Sequence, residues 1–129
     1  MWGIGTDTAC LMCPGGNESR DHLFAMCSFS RYVFATVMRK ICLFPEALTW
    51  QDQLQWVIRA WSGSSDKAKA GRLLWRLSLN YIWREMNIRQ YGSKHVCSPV
   101  QIVKKIKDER ILIAQNNQSM LSIGQKFIE

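Results

Sequence analysis

Four residues near the start of the chain have the types and the spacing of a metal site. They form the pattern C-x2-C-x8-H-x4-C, which consists of Cys10, Cys13, His22 and Cys27. Thiolate and imidazole groups are ligands that suit Zn²⁺, and four of them complete a tetrahedral shell. A closed shell leaves no coordination position for water or substrate. The spacing therefore predicts one structural Zn²⁺ ion whose binding is linked to folding, and no catalytic metal.

The local sequence predicts how these ligands are positioned. Pro14-Gly15-Gly16 follows the second cysteine and supplies residues that turn sharply and tolerate positive φ, as in a zinc knuckle. Residues 20–26 then predict a helical turn that carries His22, and Asn17 or Ser19 can cap it. The first half of the site is therefore expected to be a turn and the second half a helix.

The spacing of the last two ligands restricts this helix. His22 and Cys27 are five residues apart, so on an unbroken α-helix their side chains would diverge by about 140°. We therefore expect the helix to end or kink before Cys27. Ser28 and Ser30 are suitable N-caps for a new helix just beyond this break.

The alternative for the cysteines is that they are core residues or disulfide partners. The chain has five cysteines, an odd number, and its first residues include no apolar run that would form a secretory signal peptide. A reducing, intracellular compartment is therefore expected. Cys42 and Cys97 lie outside the pattern, and an isolated His95-Val96-Cys97 is usually incidental rather than part of a metal site.

Charge is distributed unevenly along the 129 residues. Residues 1–30 have one arginine against three acidic residues, whereas residues 63–129 have twelve lysines and arginines against five acidic residues. Attraction to the phosphates of nucleic acid is therefore expected mainly from the C-terminal half. The apolar content of 47% is ordinary for a globular protein, and no stretch reaches the length of a membrane span.

Apolar residues at helical spacing predict a mainly α fold, in which a small zinc knuckle is followed by about four helices packed as a small helical domain. The predicted helices lie at residues 31–44, 49–62, 66–90 and 98–114. Pro45 and Gly63 end the first two, and Ser98 caps the fourth. We therefore predict one domain with three parts, which are a zinc-binding knuckle (residues 1–30), a helical region (31–114) and a weakly ordered tail (115–129).

Each of the last three predicted helices has an apolar face to bury. On the second helix this face consists of Leu54, Val57, Ile58 and Trp61. The third helix is apolar over much of its circumference and is expected to be sandwiched between neighbours. On the fourth helix the apolar face consists of Val100, Val103 and Ile106.

The third and fourth helices also have basic faces that could contact nucleic acid. The candidate residues are Arg72, Arg76 and Trp83 on the third helix and Lys104, Lys105, Lys107 and Arg110 on the fourth. Lysine and arginine pair with phosphates, and a tryptophan can stack on a base. Two alternatives stay open. Trp83 is more often the rim of a helix–helix contact, and a run of lysines is usually a solvated face or, in some proteins, a membrane-surface contact.

Two blocks of the sequence resemble a known family. The first consists of Cys10-x2-Cys13, Glu18-Ser19-Arg20-Asp21-His22-Leu23-Phe24 and Cys27, and the second of Tyr81-Ile82-Trp83-Arg84-Glu85-Met86-Asn87-Ile88-Arg89. In this order and at this distance they are similar to the zinc-binding domain near the C-terminus of plant LINE-type (non-LTR) retrotransposon reverse transcriptases. The resemblance implies Zn²⁺ ligation by the two cysteines of the first motif, His22 and Cys27. It implies no catalytic residue, and it implies a nuclear location.

The sequence also departs from the family pattern. Met86 stands where the family usually has arginine, which implies the loss of one basic contact, and Ser28 replaces a proline. The family's helical region before the knuckle is absent, as are the paired aspartates of the polymerase palm and any carboxylate cluster that could hold two Mg²⁺ ions. The resemblance therefore implies an N-terminally truncated fragment, or a decayed and domesticated copy, without polymerase activity.

The expected function is a non-catalytic zinc-binding module that binds RNA or DNA through its basic C-terminal half. In the alternative, the chain is a structural or protein-interaction module stabilised by zinc, which would associate through Trp50, Leu54 and Trp61. An enzyme is the weakest hypothesis, because the Cys and His candidates are used as ligands and no Ser-His-Asp set or phosphate-binding glycine loop is present. Neither a small-molecule substrate nor a membrane partner is expected.

Overall fold

Four α-helices form most of the structure, a computed structural model that describes residues 9–14, 19–46, 49–92 and 94–115. The helices are α1 (Ser28–Met38), α2 (Trp50–Ala60), α3 (Asp66–Gln90) and α4 (Pro99–Gln115), and a short π-helical turn, His22–Met26, precedes them. The mainly α fold that the sequence predicts is confirmed. The division into knuckle, helical region and tail stays a prediction, and residues 116–129 of the tail lie outside the described residues.

The core lies between α1, α3 and α4, which all contact one another, while the π-helical turn contacts both α1 and α2. The largest fully buried apolar side chains include Phe34, Met38, Ile82, Met86 and Ile106. Burying one side chain of this size contributes about 1.5–3 kcal/mol. Among the described residues, no helix is long and apolar enough to cross a membrane.

Local signals place the starts of α2 and α4 and the end of α3 where the sequence predicts them. The Thr49 hydroxyl accepts a hydrogen bond from the Asp52 N–H at 3.0 Å and caps α2. Ser98 and Gln101 form a reciprocal capping box at the start of α4, with N–H to side-chain distances of 2.7 and 3.2 Å. Gly92, with φ of 74°, follows α3 in the conformation that glycine favours at a helix end.

The first helix differs from its predicted span of residues 31–44. It starts earlier, at Ser28, and its N-cap is Cys27, which has an extended backbone with φ of −65° and ψ of 130°. Neither Ser28 nor Ser30 is the cap, since both lie inside the helix. The break before Cys27 is confirmed, and the new helix follows it without any linker.

The same helix ends at Met38, six residues before the predicted end. Residues 42–46 have no regular secondary structure, and the Phe44 ring packs on the core, where it stacks on Phe34 at 5.1 Å and on Trp61 at 6.4 Å. A proline also disfavours the α conformation of the residue before it, so Pro45 opposes a helical conformation at Phe44. Aromatic burial therefore outweighs one more turn of helix.

The buried faces of α2 and α4 are rotated from their predicted stripes. Ile58 is 57% exposed and Val100 is 62% exposed, although both were expected to be buried. Gln53 is buried in place of Ile58, at 2% exposure. Trp61 is buried against α3 at Gly71, where a Cβ atom would overlap the indole ring. The position of Trp61 sets the rotation of α2 about its own axis.

Candidate metal centre

The four residues of the predicted metal pattern lie together. The ligand atoms of Cys10, Cys13, His22 and Cys27 are all within 4.8 Å of one another. The Cys10 and Cys27 Sγ atoms are 3.8 Å apart, and the Cys13 Sγ atom is 3.2 Å from His22 Nε2. A tetrahedral centre with Zn–S bonds of about 2.3 Å has neighbouring sulfurs about 3.8 Å apart. The cluster could therefore hold one metal ion with this arrangement of ligand atoms.

A π-helical turn brings the last two ligands onto one side. The Cys27 N–H donates a hydrogen bond to the His22 carbonyl at 2.6 Å, a bond from residue i+5 to residue i. An i+5 to i bond fits more residues into one turn, so it reduces the angle between side chains 22 and 27 from the about 140° of an α-helix. Ser19, one of the two predicted caps, caps the turn, because its hydroxyl accepts from the His22 N–H at 3.0 Å; the other, Asn17, lies outside the described residues. The short helical segment therefore widens into a π turn over His22–Met26 and ends before Cys27.

Side chains from other elements bind the polar groups of this turn. The Phe24 carbonyl accepts from the Gln53 amide at 2.7 Å, and the Ala25 carbonyl accepts from Arg31 Nε at 3.0 Å. Gln53 also accepts from the Trp75 indole N–H at 2.9 Å. A π turn is rare and usually confined to a single turn, and these partners satisfy carbonyl groups of this one from outside the turn. The site is held by α1, α2 and α3.

A second link runs from the ligand segment to the start of α2. The Asp21 carboxylate accepts a hydrogen bond from the Trp50 N–H at 2.7 Å, which places a negative charge at the N-terminus of α2. Trp50 then stacks on Trp75 of α3 with ring centroids 5.6 Å apart and an angle of 11° between the rings. The residue before His22 is thus bound to α2, and α2 is bound in turn to α3.

The turn between the first two ligands is anchored from the far end of α3. Arg89 Nη1 donates to the Leu11 carbonyl at 3.1 Å, and Nη2 donates to the Cys97 carbonyl at 2.7 Å. Arg89 Nε lies 2.8 Å from a Glu85 carboxylate oxygen, which also accepts from the Cys97 N–H at 2.9 Å. The guanidinium lies over the Phe29 ring at 5.1 Å. One arginine therefore joins the turn at residues 10–13, here called the metal turn, to α1, α3 and the segment before α4.

Glu85 and Arg89 anchor the candidate site, a role that the sequence analysis missed. They belong to the second block of the family resemblance, yet Glu85 is 1% exposed and both side chains point into the structure. A glutamate and an arginine four residues apart on a largely apolar helix are the signal that could have identified them. Met86 is also fully buried, so in this fold its position provides no surface contact for nucleic acid.

Electrostatics distinguish Cys27 from an ordinary thiol. Burial raises the pKa of Cys27 to about 12, because the interior disfavours the charged thiolate, while the backbone N–H groups of Ser30 and Phe29 act in the opposite direction and the Cys10 charge adds to the rise. The Sγ atoms of three cysteines share this small volume, so their ionisation to thiolates requires a compensating positive charge. A metal cation held by the cluster would supply that charge, and its binding would release protons.

The other two cysteines are not part of the cluster. Cys97 is buried, and its backbone is held by Glu85 and Arg89, whereas Cys42 is half-buried and its burial raises the pKa of its thiol. No disulfide joins the five cysteines, all of which are among the described residues. His95 is exposed and is not grouped with the four ligands. The cluster therefore has four members.

The three residues of α3 that were predicted to contact nucleic acid differ in their exposure to solvent. Arg76 is exposed, and Trp83 is half-buried and packs against the core. Arg72 donates from Nη1 to the carbonyl oxygens of Trp61 and Gly63, the latter at 2.8 Å, so it joins α3 to the end of α2. Of the three residues, Arg76 is therefore the one that is both charged and open to solvent.

The four candidates on α4 do not form one open face. Lys104 and Lys105 are exposed, and Lys104 lies 3.2 Å from the Asp108 carboxylate in a surface ion pair. Lys107 is half-buried. Arg110 is only 2% exposed, which departs from the expectation of a solvent-facing contact, because it lies on the same side of α4 as the buried Ile106.

The chain was compared with protein-family models, with curated proteins and with solved structures, and none of these comparisons gave a match. The fold and the site by themselves define a small, mainly helical domain with a four-residue cluster of three cysteines and one histidine that could hold a metal ion.

Proposed function

We propose that this protein is a non-catalytic, zinc-stabilised module that binds nucleic acid and derives from the C-terminal region of a LINE-type reverse transcriptase. The observation that carries the proposal is the convergence of the Cys10, Cys13, His22 and Cys27 ligand atoms within 4.8 Å. Three thiolates and one imidazole favour Zn²⁺ over Mg²⁺ and Ca²⁺, which prefer oxygen ligands. Zn²⁺ in this closed shell would cross-link the two ligand-bearing segments of the chain and would not catalyse a reaction.

The polar links around the cluster support a structural role for the metal. Asp21, Gln53 and Arg89 connect the two ligand-bearing turns to α2 and α3. Ordering of the turns by a metal would therefore also order the contacts that these residues make. Metal binding then contributes directly to the free energy of folding, as in other small zinc domains.

Charge supports the nucleic-acid part of the proposal. The net charge is +7, and Arg76, Lys104 and Lys105 are exposed cations on the two longest helices. Such cations attract phosphates whatever the base sequence, so we expect binding with little sequence preference and a steep loss of affinity as salt rises. The resemblance to the retroelement domain points to template RNA or target DNA as the partner of an intact parent protein.

Native mass spectrometry tests the metal half of this proposal. We expect one zinc ion per chain, lost in His22→Ala and in Cys27→Ala, with a fall in helical circular dichroism on chelation. Cys42→Ala is the matched control, because Cys42 is a half-buried cysteine outside the cluster, and it should retain the ion. A wild-type chain that is folded but takes up no zinc would refute the proposal.

Salt-titrated binding to RNA and DNA tests the other half. We expect the logarithm of the association constant to fall linearly with the logarithm of the salt concentration. The double variant Lys104→Gln/Lys105→Gln should bind more weakly and show a smaller slope. Absence of binding by the zinc-loaded chain at low salt would leave the metal site standing and remove the nucleic-acid role.

A protein-interaction module is the second candidate function, and one observation favours it. A cleft of about 390 Å³ between α2 and α3 is lined mainly by apolar side chains, among them the exposed Ile58 and the predicted contact residue Leu54, and also by Arg72 and Arg76. Trp61, which the sequence assigned to such a contact, is buried in the core instead, and Trp50 stacks within the fold. Association through this cleft would be insensitive to salt, in contrast to phosphate binding, and Ile58→Asp would abolish it.

A further inference from the structure

An apolar pocket of about 170 Å³ lies between the π-helical turn, α1 and residues 43–46. Its walls include Phe24, Phe34, Ala35, Phe44 and Pro45. An apolar cavity of about 150 Å³ is large enough to hold benzene, whereas sites for drug-sized ligands occupy about 300–1,000 Å³. The four carbon atoms of a leucine side chain need less space than benzene does. The pocket is therefore suited to one aliphatic side chain and is too small for a cofactor.

Leu43 lies at the edge of this pocket and is itself almost uncovered. It is 94% exposed, the highest value among the large apolar side chains that the structure describes. Single exposed apolar side chains are normal on protein surfaces, but Leu43 differs because it adjoins an apolar recess. The exposed Tyr32 extends the apolar surface, since it neighbours Ala35 of the pocket wall on α1. A protruding side chain and a recess that can hold it thus lie next to each other.

We propose that this surface is the interface of a two-fold symmetric dimer, in which Leu43 of each copy enters the pocket of the other. A two-fold interface uses the same patch on both subunits, so the patch must be complementary to itself. A side chain and a recess that lie side by side meet this condition, because a half-turn about an axis between them places each side chain over the opposite recess. The proposed dimer depends neither on the identity of the metal nor on nucleic-acid binding.

The charges at the rim of the pocket are also complementary to themselves. Arg31 Nη1 lies 3.7 Å from Glu46 Oε1, and both residues line the pocket and reach solvent. This separation is longer than the about 2.7–2.9 Å of a charge-assisted hydrogen bond, so the carboxylate can accept a closer donor. An axis between the two side chains would place each beside the opposite charge of the second copy. The four charges would then alternate in sign.

The cleft between α2 and α3 does not have this self-complementary charge. Arg72 and Arg76 line it, and none of the described residues in its lining is acidic, so a second copy would bring like charges together. The net charge of +7 on each chain also opposes any dimer at low salt. Surface ion pairs contribute little, so screening of this repulsion should dominate. We therefore expect the dimer to strengthen as salt rises, the opposite of phosphate binding.

Sedimentation velocity of the purified full chain over a range of concentrations tests the proposal. We expect a monomer–dimer equilibrium in the micromolar range, because one pocket and its rim make a small interface. Leu43→Asp should weaken the dimer by about 100-fold or more, since two leucine side chains per dimer lose their burial. Leu43 lies outside the core, so urea unfolding of the variant should match the wild type. Ile58→Asp is the matched control at an exposed apolar position of the other cleft and should still dimerise.

Two further measurements locate the interface. Glu46→Lys should weaken the dimer more than Asp108→Lys, which makes the same change of charge at an exposed position on α4. In nuclear magnetic resonance spectra of the wild type, the Ala35 methyl group on the pocket wall should shift with protein concentration. A chain that stays monomeric at the highest concentration would refute the proposal. A dimer that Leu43→Asp leaves intact would also refute it, and loss of that dimer in Ile58→Asp would place the contact in the α2 and α3 cleft.

Discussion

Arg89 donates a hydrogen bond to the carbonyl oxygen of Leu11, a residue 78 positions earlier in the sequence. Leu11 lies between the first two predicted metal ligands, and Arg89 lies in the last turn of α3. The same guanidinium binds the buried Glu85 and the Cys97 carbonyl. The geometry of the metal turn therefore depends on a helix that supplies no ligand.

Replacing Arg89 by alanine should destabilise the zinc-loaded protein by about 3 kcal/mol. The change leaves the Glu85 carboxylate, 1% exposed, without its cationic partner, and breaking a buried pair costs about 3–5 kcal/mol. Urea unfolding at pH 7 measures the loss. Arg84→Ala on the same helix is the control, because Arg84 is exposed and lies over the Tyr81 ring, and it should cost less than about 1 kcal/mol. Equal losses in the two variants would contradict the anchoring role of Arg89.

Replacing Gln53 by leucine should destabilise the protein by about 2 kcal/mol or more. Gln53 is 2% exposed and bonds both the Phe24 carbonyl and the Trp75 indole N–H, and leucine leaves both groups buried without that partner. Urea unfolding followed by tryptophan fluorescence reports the change near Trp75. Gln55→Leu, at an exposed position of the same helix, should have almost no effect. A neutral Gln53→Leu would mean that the π turn does not need this partner.

Replacing Gly71 by alanine should destabilise the fold, although alanine is the better helix former by about 1 kcal/mol. A Cβ atom at this position would overlap the Trp61 indole, so α2 and α3 would have to separate, at a net cost of about 1–3 kcal/mol. Thermal unfolding measures the effect. Gly63→Ala provides the contrast, because no atom lies within 4 Å of a Cβ added there, and it should be neutral or slightly stabilising. The prediction fails if the two variants have the same melting temperature.

The stability of the metal-free protein should fall as the pH rises above about 8.5. Burial raises the pKa of Cys27 to about 12, above the value of about 8.5 for a thiol in the unfolded chain. The unfolded chain therefore loses its proton first, and each pH unit between these values costs up to about 1.4 kcal/mol. Urea unfolding of the chelated protein from pH 7.5 to 10.5 tests this. Cys27→Val should reduce the pH dependence, and an unchanged profile in that variant would assign the effect to other groups.

The zinc-loaded protein should respond to pH in the opposite direction. Protons compete with the metal for the Cys10, Cys13 and Cys27 thiolates and for His22, so zinc affinity falls as the pH decreases. A competition titration with a chromophoric chelator at pH 6 and pH 8 measures this change. The number of protons released per ion, obtained from the same data, should exceed one. An affinity that does not vary with pH would argue against thiolate ligation.

Features that depend on neighbours in sequence could be read from the sequence. The four residues of the cluster lie within 18 consecutive positions, and the start of α2 at Thr49 and the capping box of Ser98 and Gln101 depend on groups three residues apart. The span of α3, Asp66–Gln90, agrees with the predicted helix at about residues 66–90, because its apolar pattern is long and turn residues flank it. The spacing of His22 and Cys27 also required an interruption of the helix between them.

The tertiary structure decided features that depend on distant partners. The widened turn at His22–Met26 is held by Gln53 and Arg31, and the early end of α1 follows from the stacking of Phe44 on the core. Burial of Gln53 in place of Ile58 follows from the fit of Trp61 onto α3. Periodicity identifies which residues are apolar, but it contains no information on which polar groups a neighbouring helix can satisfy. The sequence by itself therefore determined which four residues form the candidate metal cluster, whereas tertiary contacts decided which helices and side chains hold that cluster in place.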